Sequence, residues 1–494
     1  MRITNTLTGE KEDFQPIHAG EVKMYVCGPT VYGLTHIGNF RPVVFFNVVR
    51  NYLERKGYKV TYVSNFTDVD DKIINKAREQ KVSASEISEK YTIEFIQDVE
   101  SLGLRRPDSA PKVTEFIPQI IEFIAGLVKN GSAYVADNGE VFFSVRHFKD
   151  YGKLSKKKID DLQVGARVDP NELKRDPLDF SLWKPQKAAD EPAWESPWGM
   201  GRPGWHIECS AMAMQYCGET FDIHGGGMDL IHPHHENEIA QSEGLTGKPF
   251  VRYWMHNNLL TMESEKMSKS LGNIFLTRDF VKKYSAETLK FMLLSGHYRS
   301  PIDFSEKHIK DVDAALHRIY SARLKCETFP SEGLAPGGEG STEENKLAAF
   351  SQDFPKLWQE AMDDDFNTAK ASGYVFEYVR AVNAYLDRKK FKSNEKALEL
   401  CQAFVSAMKD YSSVMNVLGE NSETFLRDLR LRYLEANAIT EEMVLEKIAQ
   451  RREARQSRDF SRADAIRDEL LEKGVEVRDA GDTSTWDIVI TPKS

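Results

Sequence analysis

The most constraining feature of this sequence is an alternation of β-prone and helical segments near its start. Residues 22–26 (VKMYV) and 59–63 (KVTYV) are β-prone, and residues 45–53 between them have the apolar spacing of a helix. Strands separated by helices predict a parallel sheet, and ligands bind such sheets at the carboxyl ends of the strands. Cys27 and Thr67 follow the two predicted strands, so we expect both of them near a binding site.

The chain of 494 residues is long enough for several domains, and its composition and predicted secondary structure change along the sequence. Residues 1–305 predict a Rossmann-like α/β domain with a parallel sheet, interrupted by an insertion at approximately 115–203. Residues 306–425 predict an α-helical bundle with a loop at 326–345 that is rich in Pro and Gly. Residues 426–494 predict a small α+β unit.

Composition excludes several classes of protein. The net charge of -10 argues against general coating of nucleic acid, but it leaves room for a local RNA site. The start has no apolar segment of the signal-peptide kind and no long apolar run follows, so we expect a cytoplasmic protein with no membrane partner. The 5 cysteines are widely spaced and form no Cys-x-x-Cys pair, which argues against a disulfide framework and a zinc ribbon.

Two motifs together predict a nucleotide site. The sequence THIGN at 35–39 lies in the turn before a predicted helix, whose free N–H groups suit phosphate, and Gly38 allows close approach to the backbone. The sequence EKMSKSLG at 265–272 predicts a flexible cationic loop that can neutralise a departing pyrophosphate. Alone, His36 is compatible with a helix cap and the second motif with a solvated loop, whereas their combination is a strong signal.

A third motif, HGGGMD at 224–229, indicates backbone pressed against a ligand, with a plain hinge as the alternative. The segment 232–238 then supplies His and Glu side chains for a metal site. His234 and Glu238 are spaced i, i+4 on one helical face, and Cys27 and Cys209 could complete the set. Thiolate and imidazole ligands favour zinc over Mg²⁺. His232 and His235 remain open as alternatives to His234.

These motifs, in this order, resemble those of the cysteinyl-tRNA synthetases of bacterial type, a family of class I aminoacyl-tRNA synthetases. The resemblance covers nearly the whole chain. It is also carried by the segments 24–32, 65–72, 204–212, 233–241, 295–299 and 362–368.

The resemblance implies a cysteine–tRNA ligase. Such an enzyme activates L-cysteine with ATP to cysteinyl-adenylate and pyrophosphate, and then transfers cysteine to the 3′ end of tRNA(Cys). It implies one Zn²⁺ per subunit that selects the substrate thiolate, Mg²⁺ accompanying ATP, and a monomer. It also implies that the first domain is catalytic and that the last one binds the anticodon.

The resemblance also implies residue roles. The implied zinc ligands are Cys27, Cys209, His234 and Glu238. The implied cysteine pocket is formed by Gly28, Thr67, Trp205 and Asp229. The implied ATP contacts are His36, Gly38, Asn39, His224, Gly226, Asp229, Lys266 and Lys269, of which His36, Asn39, Lys266 and Lys269 are assigned to catalysis. Asn39 departs from the family pattern, which has a second His there.

The last domain carries a run of basic residues at helical spacing. Its arginines are predicted to share one face of a helix and to follow tRNA phosphates, with a solvated charged helix as the alternative. These residues are Arg451, Arg455, Arg458 and Arg462. Trp486 is a candidate platform for an unstacked base, although burial in the core of this unit is an equal alternative.

Two other functions compete with the tRNA ligase. A cysteine:amino-sugar ligase resembles the same catalytic half and forms the same adenylate, but it lacks an anticodon unit. The basic run and the Trp486 region therefore favour tRNA. A non-catalytic RNA-binding paralogue is the second alternative, and the intact motifs around His36 and Lys266 argue against it.

Overall fold

The structure is a computed structural model that describes residues 1–158, 173–262, 265–266, 274–336, 340–389, 391–480 and 483–490. The strands of the described chain are β1 (Arg2–Thr4), β2 (Lys11–Asp13), β3 (Glu21–Val26), β4 (Lys59–Val63), β5 (Ala133–Val135), β6 (Val141–Phe143), β7 (Phe180–Pro185), β8 (Gly201–Pro203), β9 (Phe221–Gly227), β10 (Val251–Asn257), β11 (Leu260–Met262), β12 (Glu265–Lys266), β13 (Ile302–Phe304), β14 (Val475–Ala480) and β15 (Thr483–Ile488).

The described α-helices of the first domain are α1 (Phe40–Arg55), α2 (Asp71–Gln80), α3 (Ala84–Ser101), α4 (Ile117–Lys129), α5 (Trp205–Cys217), α6 (Glu236–Thr246), α7 (Thr277–Lys283) and α8 (Ala286–Leu294). Those that follow are α9 (Glu306–Glu327), α10 (Thr342–Asp363), α11 (Thr368–Leu386), α12 (Glu395–Met415), α13 (Ser422–Ala436), α14 (Glu441–Gln456) and α15 (Phe460–Glu472).

A four-stranded parallel sheet in the order β10-β9-β3-β4 organises the first domain. The chain moves outward from β3 through α1 to β4, and later enters β9 on the other side of β3 and continues to β10. The strand order therefore reverses between β3 and β9, which is where open parallel sheets form their binding crevices. The predicted α/β fold with a parallel sheet is confirmed.

Helix α1 lies at the centre of the largest core cluster. Its residues Phe45, Phe46 and Val48 are buried together with Ile223 of the sheet. The same cluster continues into the helical domain, where Asn51 of α1 donates a hydrogen bond to the Val414 carbonyl at 3.1 Å. The sheet and the helical bundle therefore share one apolar core.

The predicted insertion contains a sheet of its own. Strands β5 to β8 form a four-stranded antiparallel sheet in sequence order, and α4 precedes it. The predicted loop at 326–345 is shorter than expected, because α9 continues to Glu327 and the Ser341 side chain caps α10 by accepting from Glu344 N–H. The predicted boundary between residues 425 and 426 falls inside α13.

The N-terminal strand depends on the helical domain. The Asp365 carboxylate, after α10, accepts hydrogen bonds from Thr4 N–H at 2.8 Å and from the Thr4 hydroxyl at 2.5 Å. It also accepts from the Tyr298 hydroxyl at 2.8 Å.

In the described part of the chain, no helix combines the length and apolarity needed to cross a membrane.

The C-terminal hairpin is attached to the helical bundle by a half-buried acid, Asp487. The Asp487 carboxylate lies 3.1 Å from His317 Nε2 of α9 and 3.5 Å from Arg430 Nε of α13. Burial raises the pKa of Asp487, but the hydrogen bond and charge of His317 and the charge of Arg430 outweigh this effect. The pKa of Asp487 therefore stays below its ordinary value.

We expect Asp487 to make the stability of the contact between the C-terminal hairpin and the helical bundle depend on pH. A carboxyl whose pKa is lower in the folded state stabilises the fold above its unfolded pKa, which is about 3.9. This contribution, about 1 kcal/mol, should be lost as the pH falls below about 4. Denaturant unfolding of the native protein and Asp487→Asn at several pH values should show a difference at neutral pH that closes in acid. A difference that persists in acid below the folded-state pKa of Asp487 would contradict the assignment.

Candidate active site and metal centre

The predicted neighbours after β3 and β4 lie together at the carboxyl end of the sheet. Gly28 N–H donates to the Asn65 side-chain oxygen at 3.0 Å, and Thr67 N–H donates to the Pro29 carbonyl at 3.1 Å. Gly28 has no room for a side chain, because a Cβ atom there would lie 1.6 Å from the Asn65 carbonyl oxygen. The expectation that Cys27 and Thr67 lie near one binding crevice agrees with this arrangement.

Four side chains from different elements converge beside this crevice. Cys27 follows β3, Cys209 lies on α5, and His234 and Glu238 come from the start of α6 and the turn before it. One potential ligand atom from each lies within 4.8 Å of the other three. Cys27 Sγ is 3.4 Å and His234 Nε2 is 3.2 Å from Glu238 Oε1.

A second group shares two members with the first. His224 and His235 join Cys27 and Glu238 within the same 4.8 Å limit. His224 Nε2 lies 2.8 Å from Glu238 Oε2, and His235 Nε2 lies 3.3 Å from Cys27 Sγ. Position 235 was one of the alternatives that the sequence left open, whereas the position of His224 beside Glu238 was missed.

The cluster is buried and rich in groups that become negative. Burial raises the pKa of the Cys27 thiol well above its ordinary value, and the neighbouring Cys209 and Glu238 add to the shift. Burial lowers the pKa of His234 to about 3, and the nearby His224 contributes. Two thiols, a carboxylate and neutral imidazoles at these distances form a site that a bound cation would stabilise.

The donor set fits Zn²⁺. Zinc takes thiolate and imidazole ligands at about 2.0–2.3 Å, so neighbouring ligand atoms of a tetrahedral site lie about 3.3–3.8 Å apart. The 3.4 Å and 3.2 Å separations around Glu238 Oε1 are close to this range. His224 occupies the other oxygen of Glu238, which is the position of a residue that orients a metal ligand.

The His224 side chain faces the interior of the protein. Its side chain is fully buried, stacks on Trp254 with ring centroids 4.5 Å apart, and bonds to Glu238. The predicted ATP contact at position 224 stays a prediction, and the buried ring itself is held by Glu238 and Trp254. Spacing along the sequence could not show that the ring turns toward the Glu238 helix.

The glycines at 225–227 have little room for a side chain. A Cβ at Gly225 would lie 2.1 Å from the Phe46 ring, and one at Gly226 would lie 2.9 Å from the His235 ring. The predicted close approach to a ligand stays a prediction, since the approaches that the structure describes are to side chains of the protein itself. The small residues allow α1 and the histidine cluster to pack directly against β9.

The turn at residues 35–39, which is predicted to bind the nucleotide, is hydrogen-bonded to residues 275–277, which follow the predicted cationic loop. Ile37 N–H donates to the Phe275 carbonyl at 3.0 Å, and Thr277 N–H donates to the Thr35 carbonyl at 3.1 Å. The Asn39 side-chain oxygen accepts from His36 N–H at 3.2 Å. Lys269 lies outside the described residues, and for Lys266 only the backbone is described, in β12. Gly38 lies between His36 and Asn39 in this turn.

The remaining predicted cysteine contacts differ in their exposure to solvent. Trp205 begins α5, is 37% exposed, and its ring centroid is 4.5 Å from that of His234. Asp229 is exposed in the short helical turn after β9. The Thr67 hydroxyl donates to Glu208 at 3.1 Å, and burial raises the pKa of Glu208 well above its ordinary value.

The predicted basic face in the last domain is not one helical face. Helix α14 ends at Gln456, Arg458 has a left-handed φ of 63°, and Arg462 belongs to α15. Arg451 is buried and forms a bidentate ion pair with Asp479 at 2.6 and 3.0 Å. The sequence run gave no sign of the turn because Ser457, Arg458 and Asp459 are polar and resemble a helix surface.

Trp486 is also a packing residue. It is partly buried against both the main core and the small C-terminal core, and the Arg430 guanidinium lies 5.7 Å from its ring centroid. Of the two alternatives for Trp486, the structure favours burial.

The sequence analysis missed Phe460, which begins α15 with 60% of its surface exposed, beside the exposed Arg458 and Arg462.

Comparisons with known proteins agree with this architecture. Residues 13–314 match the model of the tRNA synthetases class I (C) catalytic domain, residues 357–419 match the DALR domain, and residues 448–486 match the cysteinyl-tRNA ligase anticodon binding domain. A solved Mycobacterium tuberculosis methionyl-tRNA synthetase with methionyl-adenylate superposes with a TM-score of 0.62 at 14% identity, over 82% of this chain and 93% of that one. The fold and these matches define a class I aminoacyl-tRNA synthetase.

Full-length relatives narrow this class to one family. The cysteine–tRNA ligase of Thermodesulfovibrio yellowstonii is 49% identical, over 99% of this chain and 100% of that protein. That of Geobacter metallireducens is 49% identical over 99% of both chains. The chain belongs to the cysteine–tRNA ligase family and is an aminoacyl-tRNA synthetase with cysteine–tRNA ligase function, so the resemblance found in the sequence is confirmed.

Proposed function

We propose that this enzyme selects L-cysteine through a zinc ion held by Cys27, Cys209, His234 and Glu238. The observation that carries the proposal is the convergence of these four side chains at the crevice. Zinc bound there supplies a soft Lewis acid that prefers a thiolate strongly over the neutral hydroxyl of serine. A pocket without such a metal rejects a change of one atom by only about 1–3 kcal/mol.

The surrounding residues position the ligands. The His224 hydrogen bond holds Glu238 by its second oxygen, which leaves Oε1 toward Cys27 and His234. Because His224 bonds to Oε2 of Glu238, we favour the group with Cys209 and His234 as the zinc ligands over the group with His224 and His235. Trp205 covers His234 with its ring and, at the rim of the crevice, can line the cysteine pocket with Gly28, Thr67 and Asp229.

The activation step is attack of the cysteine carboxylate on the α-phosphorus of ATP. The new bond joins a carboxylate oxygen to phosphorus, the bond to pyrophosphate breaks, and Mg²⁺ accompanies the phosphates. The enzyme contributes positioning and charge neutralisation rather than a covalent intermediate. We assign His36, Gly38 and Asn39 to the phosphates and Lys266 and Lys269 to the pyrophosphate, since the Phe275–Thr277 backbone brings the loop's end to the His36 turn.

The adenylate is then attacked by the terminal ribose of tRNA(Cys), and AMP leaves. The anticodon-binding match at residues 448–486 supports tRNA over an amino-sugar acceptor. We propose a three-part division of the chain, with catalysis in 1–305, helical support in 306–436, so that α13 stays whole, and anticodon contact in 437–494. A monomer in the cytoplasm with one zinc per subunit completes the proposal.

Charging of labelled cysteine onto purified tRNA, with and without a zinc chelator, tests this function. We expect cysteinyl-tRNA from the metal-loaded enzyme and loss of cysteine selectivity after chelation, with restoration by added Zn²⁺. Cysteine-dependent ATP–pyrophosphate exchange without charging would point to the amino-sugar ligase. Binding of tRNA without either activity would leave the RNA-binding paralogue. Undiminished selectivity for cysteine over serine in the metal-free enzyme would contradict the role of zinc.

Phe460 and Arg462 give a separate prediction, which concerns tRNA binding by the C-terminal unit. An aromatic ring that is 60% exposed beside basic residues is suited to stack on an unpaired anticodon base. We expect Phe460→Ala to raise the KM for tRNA about tenfold, because base stacking contributes about 1–3 kcal/mol. Cysteine-dependent ATP–pyrophosphate exchange should not change.

Leu471→Ala is the matched control, because Leu471 is also exposed on α15, at the opposite end of the helix. It should leave the KM for tRNA unchanged. An equal loss in both variants would mean that α15 is merely destabilised. Arg462→Ala should weaken tRNA binding and reduce its salt dependence, which a stacking residue would not do.

A further inference from the structure

A buried arginine links the turn at 35–39 to the strand that leads into the cationic loop. Arg41 lies in the first turn of α1, two residues after Asn39, and it is 1% exposed. Its guanidinium donates hydrogen bonds to backbone carbonyls of two separate segments of the chain. These carbonyls belong to Asn258 at 2.8 Å, Leu259 at 2.7 Å, His297 at 3.4 Å, Tyr298 at 3.3 Å and Ser300 at 2.5 Å.

The segments that Arg41 contacts lead into the strands beside Lys266. Leu259 immediately precedes β11, and Ser300 lies two residues before β13. Strand β11 pairs in parallel with β13 and antiparallel with β12, in which Lys266 is opposite Thr261. The position of the Lys266 backbone relative to α1 therefore depends on the carbonyls that Arg41 holds.

The other end of the cationic loop is attached to the same part of the chain. Residues 275–277, which follow the loop, are hydrogen-bonded to the backbone of the turn at 35–39. Arg41 makes the corresponding attachment before the loop. The proposed pyrophosphate contacts, Lys266 and Lys269, come between these two attachments in the sequence.

The charge of Arg41 is buried without a charged partner. Burial lowers the pKa of Arg41 to about 10, so the guanidinium stays protonated at neutral pH, and no neighbouring charge among the described residues opposes this shift. Within the same part of the chain, its Nε–H has no hydrogen-bond partner. A buried charge of this kind is costly. The cost is offset where the guanidinium does what an apolar side chain cannot, and its rigid fork of N–H groups can hold two segments at once.

We propose that Arg41 is a positioning residue for adenylate formation, which sets the cationic loop against the turn that binds the ATP phosphates. The inference rests on the proposed function of that turn and of Lys266 and Lys269, through which Arg41 acts. An error of about 1 Å in the position of a catalytic group can cost about 100-fold in rate. Arg41 should therefore affect kcat far more than the KM for cysteine, because it contacts none of the residues of the zinc group.

Cysteine-dependent ATP–pyrophosphate exchange by the zinc-loaded full chain tests the proposal. We expect Arg41→Met to lower kcat about 100-fold and to change the KM for cysteine less than about threefold. Arg41→Lys keeps the charge but not the fork, so it should recover about tenfold of this loss. In a chain that already carries Lys266→Ala, Arg41→Met should cost less than about tenfold, because the loop through which it acts is already impaired.

Arg50→Met is the matched control. Arg50 is also a buried arginine of α1 and donates to a backbone carbonyl, that of Arg106 at 2.8 Å, but none of its hydrogen bonds reaches the segments before β11 and β13. We expect Arg50→Met to lose stability and to keep its kcat within about threefold. Thermal unfolding of each variant sets a temperature at which all of them are folded, and the rates are compared there.

Three results would overturn the positioning role of Arg41. These are wild-type kcat in Arg41→Met, equal losses of kcat in Arg41→Met and Arg50→Met, and an undiminished cost of Arg41→Met in the Lys266→Ala chain. All three would leave the proposed role of Lys266 intact. Undiminished exchange in Lys266→Ala alone would instead contradict the proposed function of the loop, and the inference about Arg41 would fall with it.

Discussion

Replacing Cys209 with Ser should reduce kcat/KM for cysteine activation by at least about 100-fold. Loss of residues that merely orient a metal ligand costs 10- to 100-fold, so loss of a ligand itself should cost more. Cys209 is 2% exposed, and its Sγ is one of the four converging ligand atoms. Cysteine-dependent ATP–pyrophosphate exchange gives the rate, and metal analysis of the same sample should show that zinc falls from about one per chain toward none.

Cys217→Ser is the matched control for this result. Cys217 lies on the same helix and is 1% exposed, but it is outside both candidate metal groups. It should keep its zinc and most of its activity, although a buried hydroxyl will lower its stability somewhat. Full zinc content and full activity in Cys209→Ser would exclude Cys209 from the centre. Equal losses in both variants would indicate a general effect on α5.

Replacing Gly28 with Ala should abolish most activity and destabilise the fold by about 3 kcal/mol or more. The added Cβ would lie 1.6 Å from the Asn65 carbonyl oxygen, which is backbone and cannot move without displacing the loop after β4. That loop carries Thr67, and Cys27 immediately precedes the altered residue. Denaturant unfolding and kcat/KM for cysteine should both fall, by about 100-fold for the rate constant.

Gly373→Ala is the control, and we expect it to raise stability, because no neighbouring atom obstructs an added side chain there. Gly373 lies inside α11 and has no atom within 4 Å of an added Cβ. Alanine is the better helix former, so this variant should gain about 0.5–1 kcal/mol and keep its activity. A stable, active Gly28→Ala enzyme would mean that the two loops are not held together as the structure has them.

The parallel sheet could be predicted because its signals are local. The segments at 22–26 and 59–63 are short, β-prone and separated by a helix with regular apolar spacing, and they became β3 and β4. Acidic residues at the start of a helix are typical caps and ion-pair partners, and Asp70 and Asp71 follow this local rule. Asp70 accepts from Lys72 N–H at the start of α2, and Asp71 pairs with Lys184 at 2.8 Å.

The interior of the site could not be predicted, because it depends on how side chains from distant segments turn. His224, His235 and His256 form a connected cluster in which His235 Nδ1 lies 2.7 Å from His256 Nε2. Nothing in the spacing of these residues shows which ring contacts Glu238 and which contacts Cys27. The same limit applies to Arg451, whose partner Asp479 lies on a strand beyond the next helix.

The hydrogen bonds between Thr4 and Asp365 have a consequence for the order of events during translation. A ribosome adds about 5–20 residues per second, so roughly 20–70 s separate the synthesis of the first strand from that of its acceptor. Until Asp365 has emerged, Thr4 and Tyr298 lack the carboxylate that both of them contact. The nascent first domain should therefore expose an incomplete edge for most of its synthesis, and it should depend on chaperones more than a domain that closes on itself.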